Sequence, residues 1–192
     1  MSKFFKKGLS VFILMTLIIG MVSTSVGAKS TYLKGVATHF THFDDTEQDL
    51  SLIYDSGVKT IRDTINWNGV EKQEGIYNWS NYDWWLKELE DNGIEAYICV
   101  LAEQPLHYTD TTKSFFSTEK EIDAFCRFLQ AMIERYPAIR YIELWNEPNL
   151  SFGNEAPAEE RMQCYINMVK EASKVIHQMT PDINIIGGCV AN

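Results

Sequence analysis

Apolar positions along the chain alternate between short continuous runs and stripes at three- to four-residue spacing. Residues 35–40 read as a first strand. Thr46 caps a helix whose apolar positions Leu50, Ile53 and Tyr54 fall at helical spacing, and Gly57 ends it. Residues 58–62 are predicted as a second strand, followed by a long loop with Trp67, Gly75 and Trp79. A second helix starts near Ser80, buries Tyr82, Trp85, Leu86 and Leu89, and stops at Gly93; residues 94–101 form a third strand. Thr118 and Glu121 make a capping box for a third helix. Its stripe of Ile122, Phe125, Cys126, Leu129, Met132, Ile133 and Tyr136 is the clearest amphipathic pattern, and Pro137 closes it. Residues 139–147 are expected as strand four. A fourth helix begins near Ala158 with Met162, Tyr165, Ile166, Val169 and Ile176 on one face, and residues 183–186 begin strand five after Pro181.

Strands alternating with helices in this way imply an α/β protein with a parallel sheet covered by helices. An open doubly wound sheet and a closed eight-stranded barrel both have this pattern. The loop after the first strand, Thr41-His42-Phe43-Asp44-Asp45, has no glycine-rich phosphate-binding signature. Polar residues suited to chemistry instead follow strand one (His39), two (Arg62), three (Glu103) and four (Glu147). A (β/α)8 TIM barrel gathers residues from several strand ends on one face, so it is the better fit. Such a barrel takes roughly 250 residues, and this chain supplies about five strands and four helices. The expectation is therefore an incomplete barrel with open edges at strands one and five and half-covered inward side chains. A truncated product is preferred over a half-barrel completed by a second chain.

The first 28 residues follow neither periodicity. Lys3, Lys6 and Lys7 precede an apolar run from Leu9 to Val22, and Val26-Gly27-Ala28 suits signal cleavage. An uncleaved anchor is the alternative, but the run is shorter than the ~20 residues a membrane span needs. The expected organisation is a signal peptide over 1–28 and a barrel portion over 29–192, secreted or extracytoplasmic and free of the membrane after cleavage. Removing three lysines takes the net charge from −9 to −12. No basic patch remains for nucleic acid or an anionic membrane surface. Cys99, Cys126, Cys164 and Cys189 permit three disulfide pairings. Their positions in or beside core elements, without scaffold spacing, favour buried free thiols.

Candidate chemistry is concentrated in Tyr141-Ile-Glu-Leu-Trp-Asn-Glu-Pro-Asn149, an apolar strand stopping at an acid. Pro148 is expected to hold Glu147 extended and to end the ladder, leaving the carboxylate at the strand tip. Leu144-Trp-Asn-Glu-Pro-Asn149 resembles the fourth-strand motif of the clan A glycoside hydrolases, retaining enzymes built on (β/α)8 barrels. Gly57-Val-Lys-Thr-Ile-Arg62 is similar to their second strand, and Trp67, Glu71, Gly75 and Tyr77-Asn-Trp79 to the loop after it. Glu143-Leu-Trp-Asn-Glu-Pro-Asn-Leu150 stands nearest the family 39 version, with family 5 a close second.

The resemblance implies hydrolysis of O-glycosidic bonds in an oligosaccharide or polysaccharide. Retention needs two carboxyls about 5–5.5 Å apart. Glu147 matches the acid/base, Asn146 the residue that bonds the sugar 2-hydroxyl, and the nucleophile is a glutamate on strand seven, which this chain does not reach. Arg62 matches an arginine near that nucleophile; an ion pair with Glu143 is the alternative or additional role. His39 is a possible sugar contact or a packed histidine, whereas Trp67 suggests packing more than a sugar platform. The roles of Glu103, His107 and Tyr108 are unassigned. His39 and His42 lack the further ligands a metal site requires, so neither metal nor cofactor is expected. The competing functional class is an inactive fragment or a non-catalytic carbohydrate-binding remnant.

Overall fold

The computed structural model describes residues 34–40, 47–103, 105–108, 115–116, 118–151 and 154–191. The expected signal segment, the Thr46 cap and the 41–45 loop with His42 lie outside the described residues.

Five strands and four main helices alternate: β1 (Gly35–Ala37), α1 (Glu47–Asp55), β2 (Thr60–Asn66), α2 (Ser80–Asp91), β3 (Glu95–Leu101), α3 (Glu119–Arg135), β4 (Ile139–Leu144), α4 (Arg161–Met179) and β5 (Asn184–Gly187). The strands pair in chain order, every neighbour parallel. A doubly wound sheet reverses its order at a switch point. This sheet has no reversal and runs as the wall of a barrel does. Its edges are β1 and β5.

The two faces of the sheet differ in cover. Ile61 and Ile65 of β2, Ala96, Ile98 and Val100 of β3, and Ile142 and Leu144 of β4 are buried. The alternate residues Arg62, Thr64, Asn66, Tyr97 and Tyr141 are only half-buried. Strand alternation sends the first set toward the helices and the second toward the barrel axis.

Local signals hold at several ends. Thr118 and Glu121 close a reciprocal capping box at 2.7 and 3.3 Å. Gly57 and Gly93 follow α1 and α2 at φ of 73° and 63°, where a side chain would be strained. Other expectations are corrected. β2 starts at Thr60 and continues to Asn66 because the buried Asp63 is satisfied within the strand. Its carboxylate accepts from Thr38 Oγ1 (2.7 Å), Phe40 N (2.8 Å) and Thr64 N (2.6 Å), tying the end of β1 to β2. β1 stops at Ala37 and β4 at Leu144, both short of their expected ends. The long loop after β2 is ordered as a helical turn (Trp67–Val70) and a hairpin pairing Glu71–Gln73 with Ile76–Tyr77. In α4 the buried face is Met168, Ala172 and Ile176, while Met162 and Ile166 are exposed. All four cysteines are free, but Cys164 is only half-buried and Cys189 is exposed.

Candidate active site

The backbone changes character at the end of β4. Trp145 N–H still donates to Val100 O at 3.1 Å, so β3 and β4 remain joined there. Trp145 itself lies at φ 76° and Glu147 at φ 53°. The expected extended geometry for Glu147 is therefore incorrect. Proline disfavours right-handed helix for the residue before it, and the chain has turned left-handed at that point. Non-glycine residues there carry a cost of about 1–3 kcal/mol, which surrounding contacts must offset.

Those contacts come from three directions. A Cβ on Gly188 would stand 2.3 Å from Trp145 O, so the turn needs glycine on the neighbouring segment. The Trp145 indole is buried, edge-on to Phe116. Asn149 Nδ2 donates to Ala191 O (2.9 Å) and its Oδ1 accepts from Ala191 N–H (3.0 Å). Leu150 N–H closes the turn on Glu147 O at 3.0 Å. Asn146 and Glu147 are half-buried just beyond the C-terminal end of the strand.

The other sequence candidates are distributed differently. Arg62 is the third residue of β2, not its last. Its Nε and Nη2 donate to Glu143 Oε2 at 3.0 and 2.8 Å, and Tyr97 hydroxyl donates to the same oxygen at 3.0 Å. Burial disfavours the Arg62 charge, but Glu143, paired with it and accepting its hydrogen bonds, offsets this and raises the guanidinium above its ordinary value. Burial, then Glu143, pushes the neighbouring Cys99 thiol up to about 12, so it is neutral at ordinary pH. His39 lies two residues beyond β1 and is exposed. The C-terminal end of β2 is instead Asn66, whose Nδ2 reaches Glu103 Oε2 at 3.5 Å beyond β3.

Glu71 accounts for the motif that follows β2. Its carboxylate is fully buried and accepts from Trp67 Nε1 (2.5 Å), Gly75 N–H (2.6 Å) and the Tyr108 hydroxyl. Burial and the adjacent Glu71 raise the Tyr108 phenol. His107 Nε2 stands 4.0 Å from the same carboxylate. Trp67 is fully buried against Tyr108, Phe116, Phe125 and Phe128. These residues brace the hairpin and the loop after β3. Among the described residues no three His, Cys, Asp or Glu side chains cluster as a metal site.

Asp63, Asn66, Asn154 and Arg161 support this face without having drawn notice in the sequence pattern. Asp63 and Asn66 extend a strand that appeared to stop at Arg62, so continuing the two-residue period would have found them. Asn154 and Arg161 lie in a non-periodic loop and at the start of a helix, where no local signal marks them.

The family described as Cellulase (glycosyl hydrolase family 5) matches residues 24–188. No curated protein matches the sequence. A family 39 glycoside hydrolase from the gut symbiont Bacteroides cellulosilyticus WH2 has a TM-score of 0.59 at 24% identity, over 81% of this chain and 31% of that one. A β-glucosidase from Thermotoga maritima in complex with glucoimidazole gives 0.61 at 18% identity, over 81% and 48%. An exo-β-1,4-mannosidase from Opitutaceae bacterium strain TAV5 gives 0.59 at 19% identity, over 74% and 27%. This chain thus spans less than half the length of each of these proteins, and at such identities the likeness concerns the fold. Its five parallel strands are part of a TIM barrel, and the chain belongs to glycosyl hydrolase family 5, the cellulase family, within the clan A glycoside hydrolases.

Proposed function

We propose that this chain carries the acid/base side of a retaining O-glycosyl hydrolase, with Glu147 as the general acid/base. The observation that supports the reading best is the placement of Asn146-Glu147, immediately past the C-terminal end of the fourth strand in a chain of this family. Catalytic groups of TIM barrels gather at that face. In the first step Glu147 gives its proton to the leaving glycosidic oxygen while a second carboxylate attacks the anomeric carbon. In the second step Glu147, now ionised, takes a proton from the water that cleaves the covalent intermediate. The nucleophile is a glutamate at the end of a seventh strand, outside this sequence. Asn146 bonds the sugar 2-hydroxyl, and His39 contacts a hydroxyl at the mouth. Arg62 acts from the inward face of β2, where its charge is shared with Glu143. The substrate is an oligosaccharide or polysaccharide met outside the cytoplasm, after cleavage of a signal peptide near residue 28.

Glu147→Gln in the full-length protein tests the acid role. General acid assistance is worth about 10²–10⁴-fold. Hydrolysis of unactivated glycosides should fall on that scale, while aryl glycosides with good leaving groups, which need little protonation, are largely spared in the glycosylation step. Equal losses on both substrates would sink the assignment.

A further inference from the structure

We infer that Arg161, with Asn154, is a positioning residue that holds the Glu147 turn in its reactive shape; the inference rests on the reading of Glu147 as the acid/base. Arg161 is the first residue of α4. A cation there opposes the helix macrodipole, even with the acidic Glu160 beside it at the N-cap. The helix gives no reason for an arginine at this position, but the preceding loop does. Arg161 donates from Nη1 to Asn149 O (3.0 Å), from Nε to Asn154 O (3.0 Å) and from Nη2 to Ala156 O (3.2 Å). One planar guanidinium thus fixes three carbonyls of the segment between Glu147 and α4. A lysine ammonium does not offer that fork.

Asn154 continues the clamp to the residue next to Glu147. It is almost fully buried, and its Nδ2 donates to Pro148 O (2.9 Å) and Arg161 O (3.2 Å). Its Oδ1 is buried without a partner among the described residues. Flipping the amide would turn an oxygen toward two carbonyls, so the donors must face this way. Because Pro148 and Asn149 directly follow Glu147, their carbonyls are where a clamp would govern the left-handed turn at φ 53°.

The test compares Arg161→Gln, Arg161→Lys and Asn154→Leu with Glu147→Gln in the full-length protein. A displacement of about 1 Å at a reacting group costs on the order of 100-fold. Arg161→Gln should lower kcat/KM by up to that factor on unactivated glycosides and much less on activated aryl glycosides, with Arg161→Lys close to Arg161→Gln. Added to Glu147→Gln, it should cost little more on the unactivated substrate, because both changes remove one function. In parallel, hydrogen exchange at Leu150 N–H, bonded to Glu147 O, should speed up while β3 amides keep their protection. Equal losses on both substrate classes, or unchanged Leu150 exchange, overturns the inference. If Arg161→Gln fails to fold, Asn154→Leu decides by the same readouts. Should Glu147→Gln itself show no leaving-group dependence, the acid assignment fails; if Glu147→Gln shows it and the clamp variants do not, only the clamp fails.

Discussion

Replacing Arg62 by methionine should destabilise the protein far more than replacing its partner Glu143 by leucine. Glu143 is fully buried, whereas the Arg62 side chain is 30% exposed. Without the guanidinium, Glu143 keeps one donor among the described residues, the Tyr97 hydroxyl, and its Oε1 is already unpartnered. Orphaning one member of a buried ion pair typically costs about 3–5 kcal/mol. Because water reaches the arginine end, we expect about 2–3 kcal/mol for Arg62→Met. Glu143→Leu removes the unpaired oxygen and leaves an arginine that rehydrates, so its cost should stay within about 1 kcal/mol. The double variant should lie near the wild type, with a coupling of about 2 kcal/mol. Urea unfolding followed by tryptophan fluorescence measures this, read as midpoint shifts at unchanged slope. A Glu143→Leu variant as unstable as Arg62→Met, or a double variant equal to the sum of the singles, would refute the asymmetry.

Gly188→Ala places a methyl 2.3 Å from the Trp145 carbonyl, a backbone atom unable to swing aside; it should destabilise by about 1–3 kcal/mol and speed exchange of the Trp145 amide, both readable by hydrogen exchange. Timed alkylation with mass spectrometry should find Cys189 modified first, since it is exposed. Cys99 and Cys126, buried thiols pushed up to about 12 and about 11, should react only on unfolding.

The barrel wall was legible because each apolar run had a helix stripe and a stop signal beside it. The α3 stripe illustrates this: Phe125, Leu129 and Met132 are fully buried, behind the capping box at Thr118. Errors arose where a distant partner overrode the local preference. Arg62 reads as the end of a strand, but Thr38 and Phe40, just beyond β1, supply donors to Asp63 and the strand runs on to Asn66. In α4 the expected Tyr165, Val169 and Ile176 pack on the core, whereas Met162 and Ile166 are apolar yet exposed. The position of Glu147 beyond β4 followed from its motif, but its backbone shape did not.

That shape follows from a local conflict. Proline at 148 discourages right-handed helix at Glu147, and the ladder on β3 has already ended at Trp145, so two of the usual conformations have lost their support. Left-handed backbone at 145 and 147 costs about 1–3 kcal/mol per residue. Opposing this are hydrogen bonds from Arg161 to three carbonyls, from Asn154 to two, and between Asn149 and Ala191 in both directions. At about 1 kcal/mol net for each, seven such bonds outweigh the backbone cost. None of their donors except Asn149 lies within the strand-four motif, and three elements, the β4–α4 loop, the start of α4 and the chain after β5, must come together to make them. A motif peptide alone would therefore not adopt this turn. The acid reaches its position only when the fifth strand and the fourth helix have packed onto the fourth strand, which couples the candidate chemistry to the folding of this wall.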